Sequence, residues 1–284
     1  MLSRLATGCY VFTFFYFTVV TIARLDVFAG TVVFPETDVD FMIVFAIILC
    51  AYGAYLGLEA LSRSGVLSAI LVVSALAFIM ITHIKIVDLL NLTPVFYNGV
   101  TPVIKTAVDS VGQTVEYAII ALCLPKVTGN VKKGFLIWLF LQTALMATMF
   151  FFATTVMGNF TSTQLFPFHT LASLAEFAMF DRLDAIFTSV WILCAFIKAG
   201  LLIYLQADVL HKEFQRIKRQ HLIVGIALIT IVANLVIAGE FTRFSLVDNS
   251  AVKIAVTVLT AFVIPIGVLI LIRKGQYKKC EKQL

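Results

Sequence analysis

The sequence predicts an all-α polytopic integral membrane protein that crosses the bilayer eight times. Of its 284 residues, 61% are hydrophobic and only 13% are charged, whereas soluble domains average about 45–50% apolar and about 25% charged residues. Apolar runs of roughly 20 residues, the length that a helix needs to cross the hydrocarbon layer, recur along the chain. We therefore expect a single integral membrane domain over residues 1–284, in contact with the lipid bilayer.

Eight apolar segments of helical length follow one another, separated mostly by short polar connections. The two longer connections are residues 85–103 and 158–182. We assign each apolar segment to one crossing of the membrane. From first to last, the predicted spans are residues 8–33, 41–61, 65–84, 104–124, 134–157, 183–207, 220–240 and 251–272.

Charged residues near the ends of the first two helices mark the membrane boundaries. Arg24 and Asp26 lie near the outer end of the first helix, and Glu59 and Arg63 lie near the inner end of the second. Charges at such positions anchor a helix at the interface or form local salt bridges. We interpret both pairs in this way.

The distribution of Lys and Arg predicts the orientation of the chain. If the N-terminus is cytoplasmic, 14 of the 21 Lys and Arg residues fall in cytoplasmic segments and five on the outer side. Cytoplasmic connections of membrane proteins are enriched in these residues. The sequence therefore predicts that both termini are cytoplasmic, and the net charge of +5 indicates basic loops and no nucleic-acid partner.

The fourth helix carries an acidic residue, Glu116, near the middle of the membrane. It lies about twelve residues into the helix, roughly 18 Å along it, where an ionisable group costs at least a few kcal/mol. The spacing i, i+3, i+4 and i+7 puts four residues on one face of a continuous helix, namely Asp109, Gly112, Gln113 and Glu116. This face has two possible roles. It forms the wall of an outward-facing pathway that ends at Glu116, or Glu116 is a buried, paired carboxylate that only fixes helix packing. Gly112 leaves room for a ligand or another backbone, and Pro125 ends the helix.

The sixth helix carries a basic residue, Lys198, about fifteen residues from its start, or roughly 22 Å along it. Its side chain either extends to the cytoplasmic interface or pairs with an acid or lines a cavity, and Glu116 is one possible partner. Asp184 and Trp191 lie on the same stripe of the helix. We predict five substrate-binding or pathway residues: Gly112, Gln113, Glu116, Trp191 and Lys198.

Three further charged residues lie towards the outer ends of the fourth and sixth helices, namely Asp109, Arg182 and Asp184. We predict that they form an outer gate or act as structural charges. The connection that leads into the sixth helix, residues 158–182, contains a predicted short helix in its second half. This helix lies either at the outer interface or packed on the bundle.

Several kinds of chemistry have no support in the sequence. The five cysteines lack metal or redox spacing, and four of them lie in apolar segments as small hydrophobic residues. The four histidines lie at predicted helix ends or loops without ligand spacing. Since neither a nucleophile–base arrangement nor a phosphate-binding loop is present, we predict that the chain is not an enzyme and needs no metal or cofactor.

The segment FPFHTLASLAEFAMFDRLDAIFTSVWILCAFIKAGLLIY, residues 166–204, resembles the signature of the spore-germination permeases. That signature consists of F/Y-P, an interfacial helix, E-R-L/I-D-A-I/L-F, an apolar run with Trp, and often F-I-K. Arg182, Asp184, Trp191 and Lys198 fit it, and Asp181 replaces the usual glutamate. The segments FPET, YGAYLGLEALSRSG and LIRKG extend the resemblance over nearly the whole chain.

This resemblance implies a LeuT-type fold of the amino acid–polyamine–organocation (APC) superfamily, in which ten spanning helices form two inverted repeats. The chain aligns with helices three to ten of that fold. We therefore expect eight helices instead of ten. A start codon assigned too late, a fragment, or a truncated relative of the family would each explain the two missing helices. The fourth helix here corresponds to the sixth helix of the fold, which lines the substrate site near the midplane.

The resemblance also implies a function. The B subunits of spore germinant receptors belong to this family, so we expect a membrane subunit that senses or passes a small, amino acid-like nutrient and works with other receptor subunits. The expected location is the bacterial cell membrane, in particular the spore inner membrane. Two alternatives remain open: a proton-coupled secondary transporter of amino acids or amines, and a truncated structural subunit without transport.

Overall fold

The computed structural model of the chain describes residues 2–33, 40–93, 99–112, 114–127, 129–175, 184–238, 241–267 and 269. Every regular element within these ranges is a helix, as predicted for an all-α protein. The residues divide into two compact units. Unit 1 comprises Met1–Gly57, Val100–Pro125 and Lys198–Leu284, and unit 2 comprises Leu58–Gly99 and Lys126–Ile197.

Three long helices form the base of unit 1, and they pack against one another. They are α1 (Leu2–Phe28), α2 (Asp40–Leu56) and α9 (Arg219–Ile237). The second half of the 30-residue helix α8 (Asp184–Glu213) also belongs to this unit, and most of its residues between Ala199 and Ala207 are buried. Gln206 of α8 donates a hydrogen bond from Nε2 to Thr18 Oγ1 of α1 at 3.0 Å. Both side chains are almost fully buried, so this polar contact fixes α8 against α1 in an otherwise apolar core.

Four shorter helices complete unit 1. They are α4 (Thr101–Gly112), α5 (Glu116–Cys123), α10 (Phe241–Val247) and α11 (Ser250–Val258). α4 packs on α11, and α5 packs on the π-helical turn Leu259–Val263 that follows α11. The hydroxyl of Tyr10 in α1 donates to the carbonyl oxygen of Thr260 in this turn at 3.1 Å, which ties α1 to the same region.

Unit 2 contains α3 (Leu58–His83), α6 (Val131–Met157), α7 (Pro167–Ser173) and the first half of α8. Leu171 and Ala172 of α7 are fully buried against Ile79 of α3 and Ala153 of α6. α7 is therefore packed on the helices of its unit, which is one of the two alternatives open for the connection 158–182. The rest of this connection, residues 176–182, lies outside the described residues.

The predicted span over residues 104–124 is wrong as one continuous helix, because α4 ends at Gly112 and α5 begins at Glu116. Within the interruption, Thr114 Oγ1 donates to the carbonyl oxygen of Ser110 in α4 at 2.8 Å. Hydroxyl groups that bond to the carbonyl four residues earlier weaken or bend helices. Glycine has low helix propensity, so Gly112 adds to this effect. The face on which the sequence places Asp109, Gly112, Gln113 and Glu116 is therefore not continuous.

The boundary between the second and third helices also differs from the prediction, which extended the second helix to residue 61. α2 ends at Leu56, and Gly57 adopts a φ of +98°, a conformation that favours glycine because a Cβ atom would be strained. Glu59 and Arg63 therefore lie in the first turns of α3 and not at the end of α2. There Arg63 Nη2 donates to Glu59 Oε1 at 2.6 Å on the exposed surface.

Six helices of the described chain are long and apolar enough to cross a membrane. Two of the eight predicted spans are not among them: the apolar helix over Phe41–Leu56 is shorter, and the region 104–124 is divided. The spanning helices expose large apolar side chains, such as Leu136 and Phe140 of α6 at 64% and 74%. Because such surfaces are unfavourable in water and favourable in hydrocarbon, the fold is that of a polytopic membrane protein.

Replacing Gly158 by alanine is expected to destabilise unit 2 by about 1–3 kcal/mol, the cost of a backbone conformation that only glycine adopts easily. Gly158 has φ 54° and ψ −133°, and an added Cβ would lie 2.9 Å from Asn91 Oδ1. Asn91 Nδ2 donates to the carbonyl oxygen of Thr155, so its side chain is held in place. Gly134→Ala in α6, the helix that Gly158 follows, is the control, since nothing lies within 4 Å of an added Cβ there. Thermal unfolding in detergent measures both variants, and an equal effect of the two would contradict this prediction.

Candidate functional site

The carboxylate of Glu116 and the ammonium group of Lys198 form an ion pair in unit 1. Lys198 Nζ donates to Glu116 Oε1 at 2.8 Å, and each side chain is 35% exposed. Glu116 is the first residue of α5, directly after the interruption, and Lys198 precedes the buried stretch of α8. The structure thus brings together the two charges that the sequence places at similar depths. Of the alternatives for Lys198, which are extension to the interface, pairing with an acid or lining a cavity, the structure shows pairing with an acid.

The interruption before Glu116 places a helix end and a helix start next to the ion pair in the sequence. A helix end leaves carbonyl groups without helical partners, and a helix start leaves N–H groups without them. The residue before α5, Val115, supplies no side-chain cap to these N–H groups. In a membrane, such backbone is tolerated where protein covers it or where it lines a water-filled cavity. Two opposite charges, a helix start and partial exposure therefore coincide at Glu116.

A second charge cluster in unit 1 surrounds Asp248, which lies between α10 and α11. Arg24 donates from Nε to Asp248 Oδ1 at 3.1 Å and from Nη2 to Oδ2 at 3.2 Å, and Lys253 Nζ donates to Oδ1 at 3.1 Å. The side chain of Lys253 is only 3% exposed, and that of Asp248 is 19% exposed. Asp109 of α4 also interacts electrostatically with Lys253. One carboxylate thus binds two cations and links α1 to α11.

This second cluster was not predicted from the sequence. From the sequence we interpret Arg24 and Asp26 as interfacial anchors or a local salt bridge, whereas Arg24 binds Asp248 over a separation of 224 positions. No local pattern marks such a distant pair. The five-residue spacing between Asp248 and Lys253 was a usable signal, because a cation soon after an acid in an apolar segment needs a partner.

The remaining predicted pathway residues are distributed over the chain. Gly112 ends α4 at the interruption, next to the ion pair in sequence. Gln113 lies outside the described residues. Trp191 lies in the part of α8 that belongs to unit 2, where it lines a cavity and packs edge-on against Phe166 with ring centroids 6.3 Å apart. The roles that we predict for these residues remain predictions.

The three predicted outer charges also lie in different places. Asp109 is on α4, near Lys253, Asp184 begins α8 in unit 2, and Arg182 lies outside the described residues. Asp184 acts on His169, a residue outside the spanning helices. Burial lowers the pKa of His169, and the negative charge of Asp184 opposes this shift. The His169 ring lies edge-on to Phe187 with ring centroids 6.5 Å apart, which accounts for part of its burial.

Within the described ranges, no group of three or more His, Cys, Asp and Glu side chains is placed to hold a metal ion. Several charged side chains instead form ion pairs, among them Glu116–Lys198 and Arg24–Asp248. Apolar helices of this length, with ion pairs among them, define the chain as a polytopic membrane protein.

The family follows from a comparison with protein-family models. The model of the spore germination proteins of the permease type matches residues 1–242, and the chain belongs to this family. The resemblance stated from residues 166–204 is thereby confirmed. Membership points to a transporter-like or receptor-like membrane protein of germination and not to an enzyme. No curated protein and no solved structure is significantly similar to the chain.

Proposed function

We propose that the chain is a membrane subunit of a spore germinant receptor that recognises a small, amino acid-like nutrient at the Glu116–Lys198 ion pair. The observation that carries this proposal is the position of the pair, 2.8 Å from Nζ to Oε1, directly after an interrupted helix in a germination permease. Interrupted helices with free backbone dipoles are where membrane transporters bind charged solutes.

The pair has the chemistry that a zwitterion needs. An amino acid carries one ammonium and one carboxylate group, so its ammonium group can replace Lys198 at Glu116 while its carboxylate group binds Lys198. This exchange conserves the number of ion pairs, and a buried charge is costly only when it is left unpaired. Each side chain is 35% exposed, so both are accessible to a ligand.

The wider assignment belongs to the same proposal. We place the chain in the spore inner membrane with both termini in the cytoplasm, as a partner of other receptor subunits, because most Lys and Arg residues then lie in cytoplasmic segments. A LeuT-type fold with eight spans is likewise proposed. The interruption between α4 and α5 supports it, since discontinuous helices form the binding sites of such folds.

A second candidate function is proton-coupled transport of amino acids or amines. The specific observation in its favour is the same carboxylate, because protonation of Glu116 would release Lys198 and open the pair. A subunit that only holds its receptor partners in the membrane is the third candidate, and in that case the pair would fix helix packing alone.

Uptake and germination measurements distinguish these functions. Membrane vesicles that contain the protein are tested for accumulation of labelled amino acid, and spores are tested for nutrient-dependent germination. A receptor is expected to support germination without measurable uptake. Uptake that is abolished by Glu116→Gln would instead establish the transporter, and normal germination of both Glu116→Gln and Lys198→Met spores would leave only the structural subunit.

A further inference from the structure

Unit 2 contains a partly open cavity of about 310 Å³ between α3, α6 and α8. Its wall includes Ala75 of α3, Met149 of α6, and Trp191 and Cys194 of α8, and Phe168 of α7 lies on one side. Small-molecule sites in proteins measure roughly 300–1,000 Å³. The cavity is therefore large enough to hold part of a small or slender ligand.

The cavity lies at the depth of the hydrocarbon layer. Ala75 precedes the end of α3 at His83 by eight residues, and Met149 precedes the end of α6 at Met157 by eight. At 1.5 Å per residue both lie roughly 12 Å from their helix ends, within the 15 Å or so that separates the edge of the hydrocarbon core from its centre. A molecule that enters at this level comes from the acyl-chain region of the bilayer.

The lining excludes a charged or zwitterionic occupant. None of the twelve lining residues is charged, and Gln142 is the one residue among them with an amide. A charged group would lose its water without gaining a partner. The apolar lining distinguishes the cavity from the Glu116–Lys198 pair. An amino acid-like nutrient therefore fits the ion pair and not the cavity.

The surface around the cavity is apolar as well. Leu71 and Val73 of α3, Leu141 of α6 and Leu193 of α8 flank its wall in sequence and are 40%, 48%, 52% and 36% exposed. Such side chains face hydrocarbon in a spanning unit. Acyl chains of neighbouring lipids are therefore in constant contact with the entrance of the cavity. An acyl chain inside the cavity gains van der Waals contacts with the lining residues that the empty cavity lacks.

We propose that this cavity binds one acyl chain of a bilayer phospholipid, inserted between α3, α6 and α8 beside Trp191. The site is separate from the nutrient site and does not depend on the function proposed for it. Trp191, a predicted pathway residue, contacts the lipid chain in this arrangement.

Fluorescence of Trp191 in brominated lipid tests this site. The chain has two tryptophans, so Trp138→Phe leaves Trp191 as the reporter in the full-length protein. After reconstitution into phosphatidylcholine with brominated acyl chains, bromine in the cavity is expected to quench Trp191. Ala75→Phe fills the cavity and is expected to restore the fluorescence. The matched control is Ala77→Phe on the same helix, where the alanine is exposed, and it is expected to leave the quenching unchanged.

Two results would overturn the lipid site. Trp191 fluorescence that is the same in brominated and ordinary lipid would exclude an acyl chain from the cavity. Quenching that is equal in Ala75→Phe and Ala77→Phe would show contact with surface lipid only. If Ala75→Phe does not fold, Cys194→Leu, a smaller filling of the same wall, is the second variant and carries the same expectation.

Discussion

Replacing Asp248 by asparagine is expected to destabilise unit 1 by about 3–5 kcal/mol, the usual effect of removing one partner of a buried ion pair. The variant leaves Arg24 and Lys253 close together without the carboxylate that both bind. The side chain of Lys253 is 3% exposed, so water cannot replace the lost partner. Thermal unfolding and the level of membrane-inserted protein measure the effect.

Lys253→Met and Glu59→Gln are the comparison variants for this prediction. Lys253→Met removes a buried charge and leaves Asp248 bound to Arg24, so its effect is expected to be much smaller than that of Asp248→Asn. Glu59 and Arg63 are 78% and 79% exposed, and loss of such a surface pair costs at most about 1 kcal/mol. If Asp248→Asn is no more destabilising than these two variants, the cluster does not stabilise unit 1.

Glu116→Gln or Lys198→Met alone is expected to cost about 1–3 kcal/mol, between the values for exposed and buried ion pairs, because each side chain is 35% exposed. The double variant Glu116→Gln/Lys198→Met removes both charges and is expected to recover part of the stability lost by either single variant. A double-mutant cycle in unfolding experiments measures the coupling energy. Additive effects of the two substitutions would show that the 2.8 Å contact contributes nothing to stability.

The helical class was predictable from the sequence because it depends on composition and segment length. Apolar runs of spanning length leave few alternatives to helices in a bilayer. The interruption at Gly112–Glu116 was not predicted, because the polar residues over 109–116 also fit one polar face of a continuous helix. Its causes are local, in the glycine and in the hydroxyl of Thr114 that bonds to Ser110, and these features also occur in continuous helices.

The candidate site was predictable in part. Depth along the two helices predicted similar levels for Glu116 and Lys198, with Glu116 as one possible partner of Lys198, and the pair is formed. No argument from depth predicted that Lys253 is buried. Its burial depends on packing between α4 and α11, a tertiary contact that has no signature in hydropathy.

Trp191 shows a different limit of sequence reasoning. Its position on the stripe of α8 that leads to Lys198 suggested a place in the solute pathway. In the structure it lines an apolar cavity of unit 2, and the residues that complete this wall come from α3 and α6. A stripe on one helix identifies which residues point in the same direction but not which helices face them.

The nutrient concentration that gives half-maximal germination of Glu116→Gln spores is the most direct test of the proposed site. With the protein present at the normal level, we expect this concentration to rise at least about tenfold, because the loss of one charge-assisted contact of about 1.5–3 kcal/mol weakens binding by that factor or more. Spores with Glu59→Gln, which alters an exposed acid of the same chain, are expected to respond like the unmodified strain. An unchanged half-maximal concentration in Glu116→Gln spores would contradict recognition of the nutrient at the Glu116–Lys198 pair.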